Sequence, residues 1–573
     1  MKTPRWLNRT RFFSIMRIAS AGALVILAAA IFSMGLTPTV SVAANQSNHA
    51  PPISGFLEAI PGFVNDPSVP GIGPVTRSSC TDGTDLGGGN IRINCDSIIV
   101  PHNELTISVD PADSNHIVAG SNELELFNVG TTVVQRIIAG YYTSTDGGTT
   151  WLNGHIQPGG FTFNGDPSVA FNKKLGLVHY GTVAFHGGQR AGFATSTIQV
   201  NTSSDGGLTF GRPVVVALGT GGTRVAVVND KPYITVDNNP TSPHFGRLYV
   251  TYTRYLFDQF GNYVQSPIYL SFSDDGGQTF SRPQQISGIS TTLCSQPGVP
   301  ANAGICNEDQ SSSPVVGPDG TFYVAFDNQQ HAQTPGQFRN QYLVVRSTDG
   351  GSTFGDPVSA VFPIYDGVND YPINVNGRQT LSNSQFRIIS AGNVTVDLTS
   401  GPASSSTSLY IAFSDNRNGT VASTNTDIVV VKSTDGGTSW NAPVVLTSAN
   451  DQFYPWATVG ADGNLRVAFS DRSYDPSNIQ YGETLASSFD GGTSFSFLRV
   501  DTGLSNPNDS RFVTNGGTTN GKATFIGDYN GLDIGSDLVL HPAWTDMRTS
   551  AYPNPPPGAG HKTQDAVTAS VTD

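Results

Sequence analysis

From about residue 91 onward, apolar and polar residues alternate in short runs. Residues 106–110 read "TISVD", 233–237 "YITVD", 393–397 "NVTVD" and 465–470 "LRVAFS". A period of two puts every second side chain on one face, which is the pattern of half-buried β-strands. No helical period of 3.6 is sustained anywhere in this region. The runs come in pairs around a turn rich in Gly, Asp or Asn, as in "SSPVVGPDGTFYVAFDN" at 312–328. Seven such pairs are present, within 103–123, 166–185, 230–255, 312–328, 386–417, 454–472 and 525–548.

After each of the first six pairs the chain writes nearly the same eight letters. They are "STDGGTTW" from Ser144, "SSDGGLTF" from Ser203, "SDDGGQTF" from Ser273, "STDGGSTF" from Ser347, "STDGGTSW" from Ser433 and "SFDGGTSF" from Ser488. Six copies predict a structural unit used once per repeat, not a catalytic centre. As a hairpin turn the motif is self-sufficient. The carboxylates of Asp146, Asp205, Asp275, Asp349, Asp435 and Asp490 can accept hydrogen bonds from N–H groups of their own turns. The paired glycines supply positive φ, and the closing Trp or Phe is a large apolar wedge.

The seventh pair has no box. It is followed by a Pro-rich loop and by "QDAVTASVTD", which parallels the strand "TDIVVVKSTD" that leads into an earlier box. The last repeat therefore stops after three strands. The segment "IRINCDSIIV" at 91–100 stands where a fourth would be expected. An all-β propeller of four-stranded antiparallel blades follows, with the N-terminal strand completing the last blade. Seven blades are expected, with six as the alternative. The boxes, between third and fourth strands, lie on one face, so longer loops on the opposite face should build any site.

The box resembles the Asp box of the bacterial neuraminidase repeat, found in sialidases and many other β-propellers. That resemblance implies three arginines gripping a substrate carboxylate, a Tyr–Glu nucleophile couple and an Asp acid/base. Second strands here end in "FSDNR", "FSDRS" and "WTDMR", pairing Asp415 with Arg417, Asp471 with Arg472 and Asp546 with Arg548. On the resemblance, Arg417, Arg472 and Arg548 are the candidate clamp, with Arg254 in a similar place. Tyr454, Tyr529, Asp451 and Asp528, on loops entering first strands, are the catalytic candidates. The plainer reading makes each Asp–Arg pair a local brace for its own loop. Where sialidases carry Arg-Ile-Pro near the start, this chain has "IRIN" at 91–94, and sialidase propellers have six blades.

Composition and charge narrow the partners. The net charge is −14, and residues 1–44 carry five basic residues and no acid. Without them the chain stands at about −19, which argues strongly against a nucleic-acid surface. Residues 1–44 read as a signal peptide or membrane anchor: a basic start, an apolar run over 18–36, then "TPTVSVAANQ" with small residues before a cleavage point. The body is expected outside the cytoplasm, touching membrane only through an uncleaved N-terminal segment. Residues 45–90 are Pro- and Gly-rich and read as a linker ahead of a propeller over 91–573. The simplest of three possible cysteine pairings gives two local disulfides, Cys80 with Cys95 and Cys294 with Cys306. No cofactor is called for. The Asp-rich loops leave room for a structural calcium ion, although no twelve-residue calcium loop is present. The expected partner is a glycan or glycoprotein met by a monomer. Exo-α-sialidase-type hydrolysis, non-catalytic binding and a scaffold role are the three functional readings.

Overall fold

Strands dominate the computed structural model, which describes residues 79–80, 84–94, 101–129, 132–161, 163–185, 196–220, 225–296, 304–334, 337–374, 377–401, 404–446, 449–510, 523–549 and 562–573. All belong to one unit, Asn45–Asp573. Among the described residues the alternating runs form six antiparallel sheets. One has nine strands, including Tyr263–Gln265 beside Leu248–Asp258, and is taken as two, so that seven runs of four strands are numbered I to VII. Sheet I comprises His102–Asp110, Asp113–Val129, Thr132–Ser144 and Trp151–His155. Sheet II comprises Phe163–Asn172, Leu177–Phe185, Ser196–Ser203 and Val214–Ala217. Sheet III comprises Val225–Val236, Leu248–Asp258, Ile268–Ser273 and Gln284–Gln285. One parallel bridge, Ser196 with Val228, joins sheets II and III. Sheet IV comprises Asp309–Val316, Phe322–Thr334, Gln337–Ser347 and Val358–Ile364. Sheet V comprises Asn393–Asp397, Ser408–Asp415, Asp427–Ser433 and Val444–Leu446. Sheet VI comprises Gln452–Val459, Leu465–Asp471, Gly482–Ser488 and Ser496–Arg499. Sheet VII comprises Gly531–Ile534, Leu540–Asp546, Asp565–Ala569 and, from the other end of the chain, Asn90–Arg92.

That last pairing is antiparallel, with Asn90 opposite Ala569, Ile91 opposite Thr568 and Arg92 opposite Val567. The fourth strand starts one residue earlier than expected and is shorter, and residues 95–100 lie outside the described set. Two further short strands come from the stretch read as a linker. Ser79–Cys80 pairs with the last strand of sheet I, and Thr84–Asp85 pairs with Asn90–Arg92.

Each sheet packs its apolar face on the next. Leu485 of sheet VI packs with Trp544 and Val567 of sheet VII. Ala543 and Ala566 of sheet VII pack with Ile107, Ile117 and Trp151 of sheet I. The first strands are neighbours in the same order, with that of sheet VII beside that of sheet I. Hydrogen bonds tie these first strands together. Asn393 and Ala457 exchange two, at 2.8 and 2.7 Å, and the Val109 N–H donates to Asp533 Oδ2 at 2.8 Å. This is an all-β arrangement of β-propeller type.

The boxes lie between third and fourth strands. In the fourth copy, Asp349 Oδ1 accepts the Thr353 N–H at 2.9 Å, and Oδ2 accepts the Thr353 hydroxyl at 2.7 Å. Ser347 Oγ donates to Asp349 and accepts the Gly351 N–H at 2.8 Å. The second glycine must also be small because the turn docks on the preceding sheet. A Cβ on Gly207 would stand 2.7 Å from Val118 of sheet I, while Gly148 faces Ser570 and His541 at sheet VII. The Thr353 hydroxyl bond outweighs a small burial effect and holds the Asp349 carboxyl down at about 2. Asp349→Ala should therefore lower the thermal midpoint, with a loss of about 1 kcal/mol once solvent screening of this exposed group is allowed for. The wild-type advantage, present above pH ~4, should vanish as pH falls through ~2.

Cys294 and Cys306 form a disulfide with a Cα–Cα distance of 5.3 Å, buried in the core shared by sheets III and IV. The pairing of Cys80 with Cys95 and the N-terminal segment 1–44 lie outside the described residues.

Candidate functional site

Five first strands share an irregularity near their starts, at the end remote from the boxes. Pairing registers shift between Asn103 and Thr106, Gly165 and Ser168, Asp230 and Tyr233, Gln310 and Ser313, and Phe453 and Trp456. Each bulge holds a non-glycine residue at positive φ: Glu104 (56°), Asp166 (51°), Lys231 (46°), Ser311 (54°) and Tyr454 (53°). A bulge re-aims the side chain it carries, and left-handed backbone at such residues costs about 1–3 kcal/mol each. Three of the five precede a proline: Asp166–Pro167, Lys231–Pro232 and Tyr454–Pro455.

The re-aimed side chains meet partners from distant parts of the chain. Lys231 Nζ of sheet III lies 2.5 Å from Oδ2 of Asp528, just before sheet VII. Arg387, ahead of sheet V, grips the same carboxylate with two nitrogens, Nε donating to Oδ1 at 3.0 Å and the other to Oδ2. All three groups are buried. Burial alone would raise the Asp528 carboxyl, but the Arg387 and Lys231 charges overcome it and hold the group far below the ordinary range. Reciprocally, Lys231 and Arg387 are raised against the effect of their own burial, chiefly by Asp528.

Glu104 and Asp166 complete the nest. Asn122 links them, its Nδ2 donating to Glu104 Oε2 at 2.8 Å and its Oδ1 accepting the Asp166 N–H at 2.9 Å. Burial lifts Glu104 to about 7 despite the Lys231 charge. Burial and the negative charges of Glu104 and Asp230 lift Asp166 well above the carboxylate range. Arg378 is half-buried, and burial together with repulsion from Arg387 brings it down to about 9. Aromatic rings flank the charges. Tyr233 stacks on Trp456 with centroids 5.2 Å apart, Tyr529 meets Tyr233 edge-on at 5.8 Å, and Lys231 Nζ stands 5.7 Å from the Tyr529 ring centroid. Tyr233 and Trp456 are half-buried.

Of the residues singled out from the sequence, Asp528, Tyr529 and Tyr454 converge here. The Tyr454 hydroxyl donates to the Arg387 carbonyl at 2.8 Å and that of Tyr529 to the Pro167 carbonyl at 3.1 Å. Burial and then Asp528 raise the Tyr454 phenol well above its usual value, so it is held neutral. The rim arginines are engaged elsewhere. Arg417 forms a two-pronged pair with Asp415, both bonds 2.8 Å. Arg548 Nε donates to Asp546 at 2.8 Å, and its other nitrogens reach Thr502 and Asn90. Arg472 is fully buried, 3.5 Å from Asp451, and donates to the Ser382 and Asn478 carbonyls. Asp471 accepts from the Thr484 hydroxyl at 2.8 Å, and the Arg254 guanidinium lies 5.0 Å from the Tyr269 ring centroid. Arg417 and Arg548 brace their own loops through Asp415 and Asp546, whereas Arg472 pairs with Asp451 and not with Asp471.

Lys231, Arg387, Glu104, Asp166, Tyr233 and Trp456 were not singled out from the sequence. The recurring residue-before-proline at the start of a first strand was a visible signal for three of the bulges. Chemically, the nest holds two carboxyls raised by burial, Glu104 and Asp166, together with one, Asp528, that stays ionised. No group of three or more His, Cys, Asp or Glu is placed to hold a metal among the described residues.

No family model matches the chain, and no curated protein matches it. Among solved structures it is similar to the Hadza microbial sialidase Hz136, with 16% identity and a TM-score of 0.37 over 64% of this chain, spanning 63% of that one. It is similar to the NanB sialidase from Streptococcus pneumoniae, with 8% identity and a TM-score of 0.41 over 87% of this chain and 99% of that one. It is also similar to the GH93 α-L-arabinofuranosidase of Fusarium graminearum, with 12% identity and a TM-score of 0.38 over 84% of this chain and 97% of that one. On its own strand order, the chain is an all-β protein of four-stranded antiparallel sheets arranged in propeller-like succession.

Proposed function

We propose that this chain is a closed β-propeller of seven blades, exported through its N-terminal segment, that acts on glycans at the nest around Asp528. The blade count is supported by the seven four-stranded units, and closure by the core shared between sheets VII and I and by the N-terminal strand in sheet VII. The observation that carries the glycan reading is the convergence of Glu104, Lys231, Arg387 and Asp528 beside the part-exposed rings of Tyr233 and Trp456. A carboxyl raised to about 7 and another held ionised within one nest offer the two protonation states that glycosidic cleavage uses. Flat amphipathic rings suit a sugar face, and half-buried Arg378 suits an acidic substituent. Hydrolysis of an acidic glycoside, of exo-α-sialidase type, is the sharpest form of this reading.

The test is turnover by the full chain on sialosides, uronosides and arabinofuranosides, with Glu104→Gln alongside. We expect Glu104→Gln to lower kcat by about 100- to 10,000-fold while KM is little changed. A specific observation favours non-catalytic binding as the second reading: Glu104, Asp166 and Asp528 are all buried, and Asp528 is already neutralised by two cations. Saturable glycan binding without turnover would select it. Neither turnover nor binding across the panel would reject both.

A further inference from the structure

We propose that Asn122 is a positioning residue for Glu104: its amide N–H faces Oε2 and so directs the acid proton of Glu104 onto Oε1. This rests on the reading of Glu104 as the acid of the nest and adds the group that decides which of its oxygens acts. An asparagine amide has nearly the same shape turned end for end, so its direction follows from partners whose roles are fixed. Two backbone groups fix it here. The Asp166 N–H, on the first strand of sheet II, can only donate, and it reaches Asn122 Oδ1 at 2.9 Å. The other end of the Asn122 side chain is therefore its amino group. That group donates to Glu104 Oε2 at 2.8 Å and to Asn103 Oδ1 at 3.3 Å.

The same direction is imposed from the opposite end. The Phe525 carbonyl can only accept, and it takes an N–H from Gln564 Nε2 at 2.8 Å. Gln564 Oε1 is left to accept from Asn103 Nδ2 at 2.7 Å, which turns Asn103 Oδ1 toward Asn122. Asn103 and Asn122 stand directly opposite each other on the first two strands of sheet I, and Gln564 immediately precedes the third strand of sheet VII. All three amides and Glu104 are buried. No member of the chain can reverse without setting two donors or two acceptors against each other where water cannot intervene.

For Glu104 the consequence is chemical. An O–H on Oε2 would meet the Asn122 N–H head-on, so the neutral acid carries its proton on Oε1. In glycosidic cleavage that proton passes to the leaving oxygen and the electron pair of the O–H bond stays on Glu104. The electron pair of the C–O bond goes to the leaving oxygen, and water supplies the hydroxyl at the sugar carbon. The Asn122 bond becomes charge-assisted as the carboxylate forms, so it strengthens along the transfer. Glu104 is also faced by the charges of Lys231, Asp528, Asp166 and Arg387, and it acts on the phenols of Tyr233, Tyr454 and Tyr529. None of these seven is substituted in the test.

The test follows the thermal midpoint of the full chain from pH 5 to 9, for each protein with and without Glu104→Gln. A carboxyl raised in the native state loses its contribution as pH rises through its folded value, so the pH at which the difference levels off reports Glu104. In the wild type that is just above 7. In Asn122→Ala, which removes the donor and adds no charge, it should move up by about one pH unit. Asn122→Asp keeps an acceptor for the Asp166 N–H but turns an oxygen toward Glu104. It should move the value at least as far, and it decides the matter if Asn122→Ala does not fold. If glycosides are turned over, the alkaline limb of kcat should move by the same amount with KM little changed. A shift without turnover on any glycoside upholds the role of Asn122 and rejects the reading of Glu104 as a glycosidic acid. A value within about 0.3 pH unit of wild type in the variants that fold overturns the proposal.

Discussion

Replacing Asp528 by Ala should destabilise the protein by about 3–5 kcal/mol, the characteristic cost of breaking a buried ion pair from one side. The size follows from what remains. Lys231 and Arg387 are buried and face the same point, and Asp528 is the carboxylate that bridges them at 2.5 and 3.0 Å. Without it two positive charges confront each other where solvent cannot screen them, with Arg378 adding a third. Asp528→Asn should be milder, since the amide oxygen can still accept one hydrogen bond. Lys231→Met should recover part of the loss in the Asp528→Ala background, because it removes one of the stranded charges. A double-mutant cycle on thermal midpoints reads this coupling directly. A single variant Asp528→Ala within 1 kcal/mol of wild type would show that the nest is hydrated and loosely held, contrary to the burial of its members.

The melting temperature should fall by several degrees between pH 6.5 and 8. Burial raises Asp309 to about 8 and Glu104 to about 7, and raises Asp427 and Asp533 to about 6. A carboxyl whose folded pKa is raised binds its proton more tightly in the native state. Its contribution is complete below the unfolded value near 4 and is lost as pH rises through the folded value. Asp309 and Glu104 place the end of that loss between pH 7 and 8. Two buried histidines act oppositely at lower pH. His179 and His541 are pushed down to about 4 by burial, so they favour the native state as pH rises from about 4 to 6.5 and are silent above that. The window from 6.5 to 8 therefore excludes these two histidines, while His116, raised by its hydrogen bond to Asp110, adds to the decline. Calorimetric midpoints at pH 5, 6.5 and 8 check the prediction, and a midpoint flat or rising across the last interval would refute it. Glu104→Gln should flatten the decline, because the amide does not titrate.

The strands and the boxes were legible because their chemistry is local. Alternation at 233–237 already states which side of the sheet Ile234 and Val236 face, and both are in the core. Likewise the side-chain bonds of Asp349 and Ser347 lie wholly within "STDGGSTF", while the Gly350 carbonyl reaches outside it, accepting from Arg247. The missing seventh box pointed to the opposite chain end for the same reason: a sheet lacking one strand must take it from elsewhere. The arginines ending second strands were visible as residues, but not their fate. Arg417 and Arg548 each pair at 2.8 Å with the aspartate two positions away.

By itself, then, the sequence determined the β architecture, the place of each box and an N-terminal strand for sheet VII, expected within 91–100 and found at Asn90–Arg92, because alternation, turn chemistry and strand count are properties of short segments. Only the tertiary structure decided that Lys231 and Arg387 close on Asp528, across 297 and 141 residues of chain. That convergence depends on bulges that turn Glu104, Asp166 and Lys231 away from the strand alternation at backbone angles no local preference favours. Packing of whole sheets imposes those angles, and a segment read in isolation carries no trace of its neighbours' charge.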